Sequence, residues 1–328
     1  MLTKKQNLLE TIKGGAPDRF VNQYEFVETP YADPFNATNP YPFTLGEETV
    51  DYWGVAWRWP EGTPGALPVH GEHTLIKDIR QWRDVLKAPP LDYAPELWEA
   101  AKAEYAKFDH NEIFVGPMMF PGLFELLHCF MGMEEALTAF YQYPEEVKGI
   151  IHFCLEWECA YLQQVAKHLA PDVVFHHDDW GSERSTLISP KMFEEFFLEP
   201  YQKLYGCYRE NGFQLIIHHS DSYAVTLVPY MIEMGIDIWQ GATKSNDLPA
   251  LIKEYGGQIS FMAGIDQTVV DEANWTKEKI AKEVRWACES CGKHYLIPCQ
   301  TQGAPFSIYD GVYDAISEAI DAMSKEMF

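Results

Sequence analysis

Short apolar runs alternate with amphipathic helical patterns over the second half of the chain. The clearest run, residues 213–217, follows Asn211-Gly212 and ends at His218-His219-Ser220-Asp221. A run this short, rich in branched and aromatic residues and entered through a turn, is typical of a buried strand. Helical patterns follow it and the similar runs at 172–175, 236–238, 258–262 and 295–297. Strands that alternate with helices at this spacing predict a parallel sheet with crossover helices.

With roughly eight such strand–helix units, the sequence predicts an α/β fold of the (β/α)8 TIM-barrel type. We expect residues 1–328 to form it as a single domain. The reactive groups of such barrels lie at the carboxyl ends of the strands. Here polar or thiol side chains follow each predicted strand directly: His176 to Asp179, His218 to Asp221, Trp239 and Gln240, Gly264 to Asp266, and Cys299 and Gln300. A doubly wound open sheet is the alternative, but the sequence has no Gly-x-Gly-x-x-Gly motif to favour it.

Residues 20–75 depart from this pattern, since much of the segment is loop-like and rich in aromatic residues and proline. Between residues 31 and 59 it contains Tyr31, Phe35, Tyr41, Phe43, Tyr52, Trp53, Trp57 and Trp59. We expect the segment to be an N-terminal elaboration that caps the barrel mouth. Its rings either fill a small secondary core or line a pocket for a flat apolar substrate, because aromatic faces stack well on aromatic ligands.

Charge and composition exclude some classes of function. The formal net charge of −24 opposes nonspecific binding to phosphate backbones, so we expect no nucleic-acid partner. The sequence does not open with a basic segment followed by an apolar one, and no apolar run approaches about twenty residues. We therefore expect a soluble, cytoplasmic protein that does not bind membranes. Seven cysteines, an odd number spread along the chain, indicate reduced thiols.

Side chains from three predicted strand ends offer metal ligands: Glu183, His219, Asp221 and Cys299. Imidazole, carboxylate and thiolate are the ligand types of a zinc site that keeps one position open for substrate. Alternate residues of an extended segment lie on the same side, so His219 and Asp221 can face the barrel mouth together. Alternation also implies that only one of His218 and His219 points inward. The same residues equally suit a metal-free acid–base site or a hydrogen-bonded rim.

Several motifs, taken in their order and spacing, resemble the uroporphyrinogen decarboxylase superfamily and, within it, the corrinoid-linked methyltransferase branch. They are Pro17-Asp18-Arg19, Gly116-Pro117, residues 143–147, Asp178 to Glu183 before Ile188 to Phe193, His219-Ser220-Asp221, Gly264-Ile265-Asp266, and Cys299. The resemblance runs through most of the chain and implies a TIM barrel. It also identifies His219, rather than His218, as the inward-facing histidine.

Two departures from the family patterns narrow the choice of branch. Decarboxylases of the family carry an arginine-rich N-terminal signature for the propionates of their substrate, whereas residues 22–28 here are acidic and aromatic. Cobamide-dependent thiol methyltransferases hold zinc with a His-x-Cys pair and a later Cys. Here Asp221 stands at the first Cys position and Cys299 matches the later one. A carboxylate in place of a thiolate makes the site harder, which suits an ether oxygen better than a thiol.

The resemblance therefore implies the first methyltransferase of an anaerobic O-demethylase system. Such an enzyme moves a methyl group from a methoxylated, here aromatic, substrate to the cobalt of a corrinoid (cobalamin) that a partner protein carries. Zinc held by Glu183, His219 and Cys299 would polarise the ether oxygen. The implied catalytic residues are His219, Asp221 and Asp178, and the implied substrate-binding residues are Tyr24, Phe26, Met118, Met119, His177, Asp179, Trp180, Trp239 and Asp266.

Three alternatives stay open on the sequence. The first is a metal-free, decarboxylase-like enzyme in which His219 or Asp178 donates a proton. The second is a cobamide:thiol methyltransferase, and the third is a barrel that binds a small molecule without turnover. The number of subunits and the identity of the methyl donor are not fixed by these patterns.

Overall fold

The computed structural model describes residues 1–61, 63, 65–301 and 304–328. Gly62 and Pro64, which belong to the predicted N-terminal elaboration, lie outside the described residues. The strands are β1 (Val27–Glu28), β2 (Glu48–Val50), β3 (Ala56–Arg58), β4 (Leu67–Pro68), β5 (Phe114–Val115), β6 (Met118–Met119), β7 (Val173–His177), β8 (Leu215–His219), β9 (Ile238–Gln240), β10 (Ser260–Ile265) and β11 (Leu296–Gln300).

Parallel strands in the described part of the chain close into a barrel. Strands β6 to β11 form a six-stranded parallel sheet in chain order, and β1 pairs with β5 in parallel. Gly116 and Pro117 separate β5 from β6, so one stretch of chain joins the pair to the sheet. Just ahead of β1, the backbone N–H of Gln23 donates to the carbonyl of Pro298 in β11, 3.3 Å away. The two edges thereby meet, and the predicted TIM barrel is confirmed.

Helices surround the barrel and connect its strands. They are α1 (Lys4–Lys13), α2 (Pro34–Thr38), α3 (Trp82–Val85), α4 (Pro95–Tyr105), α5 (Leu123–Met131), α6 (Met133–Gln142), α7 (Pro144–Leu169), α8 (Pro190–Phe193), α9 (Glu199–Glu210), α10 (Val228–Met234), α11 (Leu248–Tyr255), α12 (Gln267–Val270), α13 (Lys277–Cys291) and α14 (Val312–Met327). A π-helical turn, Glu194–Leu198, joins α8 to α9. Among the described helices, none combines the length and the apolar character that crossing a membrane requires.

Alternate residues of β7 and β8 point to two different cores. The inner row fills the barrel with apolar side chains, and the outer row packs against the helices. The inner row contains Val173, Phe175, Leu215 and Ile217, and the outer row contains Val174 and Ile216. Because the alternation continues to the strand ends, His177 and His219 extend the inner row. Their neighbours His176 and His218 extend the outer row.

The N-terminal elaboration contains a three-stranded antiparallel sheet of β2, β3 and β4. Its rings divide into two groups. Phe35 and Trp53 are buried in the helical core, where each ring centroid lies 5.0 Å from that of Trp157 in α7. Tyr31 and Phe43 are 50% and 62% exposed. The first group fills a core, as one of the two interpretations predicts, and the second group lies at the surface, where the pocket-lining interpretation stays a prediction.

Asp51 places a buried carboxylate inside this elaboration. It accepts hydrogen bonds from the indole N–H of Trp57 and the backbone N–H of Val55, both at 2.8 Å. Burial raises the pKa of Asp51 to about 6, although the hydrogen bonds from its neighbours act in the opposite direction. The charged form of this side chain is therefore less favourable in the folded protein than in the unfolded chain.

We expect the wild-type protein to lose stability relative to an Asp51→Asn variant as the pH rises from about 5 to about 7. The folded-state pKa lies above the unfolded value, so the contribution of Asp51 to stability is full below the unfolded pKa and is lost as the pH rises through 6. The difference between the two free energies of unfolding should change by about 1 kcal/mol over this range. Urea unfolding at several pH values measures it, with the exposed Asp92→Asn as control. A difference that stays constant with pH would contradict the expectation.

Candidate active site

The candidate site lies where β7 and β8 end, at the carboxyl end of the barrel. Each strand finishes with two consecutive histidines, and the parallel register pairs His176 with His218 and His177 with His219. The rings of the inner pair, His177 and His219, have centroids 4.4 Å apart. The register therefore brings two imidazoles together inside the barrel mouth.

Asp179 completes a cluster with the two inner histidines. One ligand atom from each of His177, Asp179 and His219 lies within 4.8 Å of the others. Nε2 of His219 is 3.9 Å from Oδ1 of Asp179, which also accepts the backbone N–H of Asp221 at 3.0 Å. Two imidazoles and one carboxylate form a donor set that suits a divalent transition metal. We call these three residues the His-Asp-His cluster.

Outer contacts fix the orientation of both imidazoles. Nδ1 of His177 lies 2.9 Å from Oε2 of Glu125 in α5. Nδ1 of His219 contacts Oε1 of Gln240, the last residue of β9. Metal-binding histidines commonly present one ring nitrogen to the metal and the other to a carboxylate or carbonyl oxygen, which sets the tautomer and the ring angle. The described residues therefore fit a metal both in donor type and in the support of the donors.

The electrostatics of the site are dominated by the acidic side chains around His177. Burial by itself lowers the pKa of His177, but Glu125, Asp179 and Asp221 more than offset it and raise that pKa to about 10. Burial raises the pKa of Glu125 to about 7, against the opposing effect of His177. Burial and the charge on Asp179 raise the pKa of Asp221 to about 7. Burial and the positive His177 lower the pKa of His219 to about 4, so this ring is neutral.

An aromatic wall leads from the surface to this cluster. The ring of Phe120 meets His177 edge-on, with centroids 4.8 Å apart. Tyr41 lies 6.1 Å from Phe120, Phe43 lies 5.5 Å from Tyr41, and Tyr31 lies 6.5 Å from Phe43. We call Tyr31, Tyr41, Phe43 and Phe120 the aromatic wall. Because Tyr31 and Phe43 are exposed, this chain of ring contacts connects the surface with the cluster.

Two open surface cavities lie elsewhere on the molecule. One, of about 470 Å³, is formed by residues 76–80 together with helix α6. The other, of about 400 Å³, is lined by Trp98 and His168 among others. Neither is lined by a residue of the His-Asp-His cluster. The convergence of ligand side chains at the barrel end is therefore the stronger indication of a functional site.

Asp178, which the sequence suggested as catalytic, faces helix α5. Its carboxylate accepts the backbone N–H groups of Phe124 and Glu125 at 2.9 and 2.8 Å. The indole of Trp180 donates to it at 2.9 Å, and the hydroxyl of Tyr201 also donates to it. A carboxylate at a helix N-terminus satisfies free N–H groups and interacts favourably with the helix dipole. Asp178 thus holds the helix turn that carries Glu125.

Glycine at position 122 makes this contact possible. A Cβ atom there would lie 2.3 Å from Cβ of Asp178, so any other residue would push the helix start away from the carboxylate. The close approach of α5 to the end of β7 therefore depends on a missing side chain. It is this approach that brings Glu125 within reach of His177.

The structure places two of the three metal ligands suggested by sequence apart from the cluster. Glu183 is exposed in the turn after β7, where residues 182–185 hydrogen-bond among themselves, and its carbonyl accepts the hydroxyl of Ser245 at 2.9 Å. Cys299 is buried at the end of β11, and its thiol contacts the side chains of Tyr24 and Gln240. Since Gln240 also contacts His219, it stands between the thiol and the cluster.

The suggested substrate-binding residues also divide by side-chain direction. Met118 lies near the aromatic wall, because the hydroxyl of Tyr31 is 3.3 Å from its sulfur. Tyr24 and Phe26 are buried in the barrel interior, and Met119, Trp180 and Trp239 belong to the helical core. Asp266 caps α12 by accepting the backbone N–H of Thr268. His177 and Asp179 are the suggested residues that belong to the cluster.

Three residues of the site, Glu125, Phe120 and Gln240, received no role from the sequence. Glu125 and Phe120 lie in a helix and the loop before it, where the sequence shows no chemical pattern. Gln240 follows a predicted strand and could have been assigned to the site, because Ile238 fills the barrel interior and the residue two positions later shares its direction.

Comparisons with known proteins agree with the barrel. The structure of a methyltransferase from Methanosarcina mazei is similar, with a TM-score of 0.68 and 15% sequence identity, and the match covers 98% of this chain and 99% of that chain. At this identity the likeness shows a shared fold. The comparison with curated proteins gives no match. The family model for uroporphyrinogen decarboxylase matches residues 54–297, which is well over half of the sequence. The chain therefore belongs to the uroporphyrinogen decarboxylase family.

Proposed function

We propose that the protein is a methyltransferase that moves a methyl group from a methoxylated aromatic substrate to the cobalt of a corrinoid carried by a partner protein. The observation that carries the proposal is the His-Asp-His cluster at the end of the aromatic wall. The chain has the fold of its family. At one end of the barrel, donors of the kind that bind metals lie next to aromatic rings of the kind that contact arenes. The similar methyltransferase from Methanosarcina mazei supports the same reaction class.

The reaction has one demanding feature, which is the leaving group. The methyl carbon–oxygen bond breaks, the carbon–cobalt bond forms with the electron pair of Co(I), and the departing phenolate takes up a proton. A zinc ion held by His177, Asp179 and His219 would supply a Lewis acid for the ether oxygen. Glu125 and Gln240 would hold the two imidazoles in place.

The aromatic wall would orient the substrate ring. Phe120 stands against His177, so a ring that stacks along Phe120 and Tyr41 brings its substituents to the cluster. The outer rings, Tyr31 and Phe43, are exposed, and the cobalt of a partner would approach from this open side. Fixing donor and acceptor in this way lowers the barrier by converting part of a bimolecular step into an intramolecular one.

We expect the zinc-loaded protein to form methylcobalamin and a phenol in equal amounts from a neutral methoxyphenol and cob(I)alamin under anaerobic conditions. Loss of the Co(I) absorbance and chromatography of the phenol measure the two products. His219→Ala should slow the reaction by about 100-fold or more, since stabilisation of a developing oxyanion is worth about 3 to 4 kcal/mol. Reaction without the protein is the control. A metal-loaded protein that forms methylcobalamin from no methoxylated donor would refute the proposal in favour of a decarboxylase-like or binding function.

A further inference from the structure

Two cysteines meet in the helical layer, where α7 packs against α9. Cys159 lies in α7 and Cys207 lies in α9, and their thiols are hydrogen-bonded to each other. The residues next to them connect the same two helices, since the hydroxyl of Tyr208 donates to Oε1 of Glu158 at 2.6 Å. The two sulfurs are therefore held in contact by helices whose packing is fixed directly beside them. We call Cys159 and Cys207 the thiol pair.

Access to solvent distinguishes the thiol pair from the other cysteines. Four of the seven cysteines are buried: Cys129, Cys154, Cys288 and Cys299. Besides the thiol pair, Cys291 in α13 is partly exposed. Its neighbour in sequence, Cys288, packs into a different core, so the two side chains diverge. Among the described residues, the thiol pair is thus the place where two partly exposed thiols touch.

We propose that the thiol pair is a site of reversible oxidation, at which hydrogen peroxide converts Cys159 and Cys207 into a disulfide that ties α7 to α9. The thiolate of Cys207 attacks one peroxide oxygen, the O–O bond breaks, and the departing hydroxide takes up a proton and leaves as water. The sulfur of Cys159 then attacks the resulting sulfenic acid, the S–O bond breaks, and a second water leaves with the proton of Cys159. The two thiols lose two electrons and two protons, and one peroxide is reduced to two waters.

The surroundings of the two sulfurs assign them different roles. The side-chain amide of Asn211 donates to the sulfur of Cys207 at 3.8 Å and to the carbonyl of Cys207 at 2.8 Å. Hydrogen bonds donated to a sulfur favour its anionic form, which is the nucleophile. Burial, followed by the charge on Cys207 and the hydrogen bond to it, raises the pKa of Cys159, and Glu158 and Glu210 act in the same direction. Cys159 therefore keeps its proton while Cys207 attacks the peroxide.

Helix α9 also supports the end of the barrel. The hydroxyl of Tyr201 donates to Asp178, and the hydroxyl of Tyr205 lies 2.7 Å from Nδ1 of His218. Because the reduced thiols are already in contact, a disulfide keeps α9 in the position that these contacts require. It also closes a long loop in the unfolded chain, which lowers the conformational entropy gained on unfolding. Oxidation should therefore stabilise the fold and leave the His-Asp-His cluster in place.

The test treats the full-length, reduced protein with hydrogen peroxide, then counts free thiols in denaturant and maps cross-linked peptides by mass spectrometry. We expect the wild type to lose two of its seven thiols, to gain one cross-link between Cys159 and Cys207, and to recover both thiols with dithiothreitol. Cys159→Ser and Cys207→Ser should form no such cross-link. Cys291→Ser removes the third partly exposed thiol and should behave like the wild type. A wild type that keeps all its thiols, or that links another pair first, would overturn the inference.

Two further measurements test the roles of the sulfurs and the effect on the fold. Dimedone, which traps sulfenic acids, should label Cys159→Ser at least about fivefold more than Cys207→Ser during peroxide treatment. Equal labelling would overturn the assignment of Cys207 as the attacking sulfur. The oxidised wild type should melt at least about 3 °C above the reduced protein, and peroxide should not raise the melting temperature of either serine variant of the thiol pair. A melting temperature that falls on oxidation would show that the bond distorts the contact between α7 and α9, and would overturn the inference.

Discussion

Replacing His177 or His219 by alanine is expected to remove bound zinc from the protein, whereas replacing Glu183 is expected to leave it in place. His177, Asp179 and His219 bring their ligand atoms within 4.8 Å of one another. Glu183 is exposed on a surface turn. With three protein ligands, the loss of one leaves too few donors to compete with solvent. We expect about one zinc per chain in the wild type and less than about a tenth of that in either histidine variant.

Elemental mass spectrometry measures this on protein purified without oxygen and without an affinity tag. Glu183→Ala and Cys299→Ala are the matched controls, since they remove the other two ligands suggested by sequence and leave the cluster intact. Circular dichroism verifies that each variant is folded. Retention of zinc in His177→Ala together with its loss in Glu183→Ala or Cys299→Ala would contradict the cluster and support the ligand set from sequence. A wild type that binds no zinc would contradict both sets.

The barrel could be predicted, and so could the barrel end at which the candidate site lies, because both follow from local patterns. Apolar runs followed by helices indicate a parallel sheet, and the residues just after each run must lie at the same end of it. The inner position of His219 also follows from alternation once Ile217 is assigned to the barrel interior. These inferences need only the period of the strand and the order of the elements.

The sequence did not single out the His-Asp-His cluster, because the cluster depends on features that a strand pattern does not contain. The parallel register decides that His177 is the neighbour of His219. The tight turn after β7 decides that Asp179 stays at the mouth while Glu183 moves to the surface. The position of Gln240 decides that Cys299 is separated from His219 by one side chain. Each of these three placements depends on long-range packing between strands or on the path of a loop.

The outer histidines show how completely side-chain direction determines the role of a residue. His218 lies one position before His219, yet its ring stacks on Trp180 with centroids 3.9 Å apart, and its Nδ1 lies 2.7 Å from the hydroxyl of Tyr205. Burial lowers the pKa of His218 well below its usual value. The same residue type is therefore a ligand candidate on one face of β8 and a neutral part of the helical core on the other.

Asp178→Ala is expected to destabilise the protein by at least about 3 kcal/mol. The carboxylate is fully buried and receives hydrogen bonds from two backbone N–H groups of α5, the indole of Trp180 and the hydroxyl of Tyr201. Alanine would leave these four buried donors without an acceptor, and each unsatisfied buried donor costs about 1 to 3 kcal/mol. The start of α5 would also lose the negative charge that its dipole favours.

Asp266→Ala is the matched control, because Asp266 also caps a helix and was also suggested as a site residue, but it is only partly buried. Its loss should cost about 1 kcal/mol or less. Thermal and urea unfolding of both variants measure the difference, and zinc content reports whether Glu125 still supports His177. An Asp178→Ala protein that unfolds like the wild type but no longer transfers methyl groups would contradict the structural role and return Asp178 to the catalytic role that the sequence suggested.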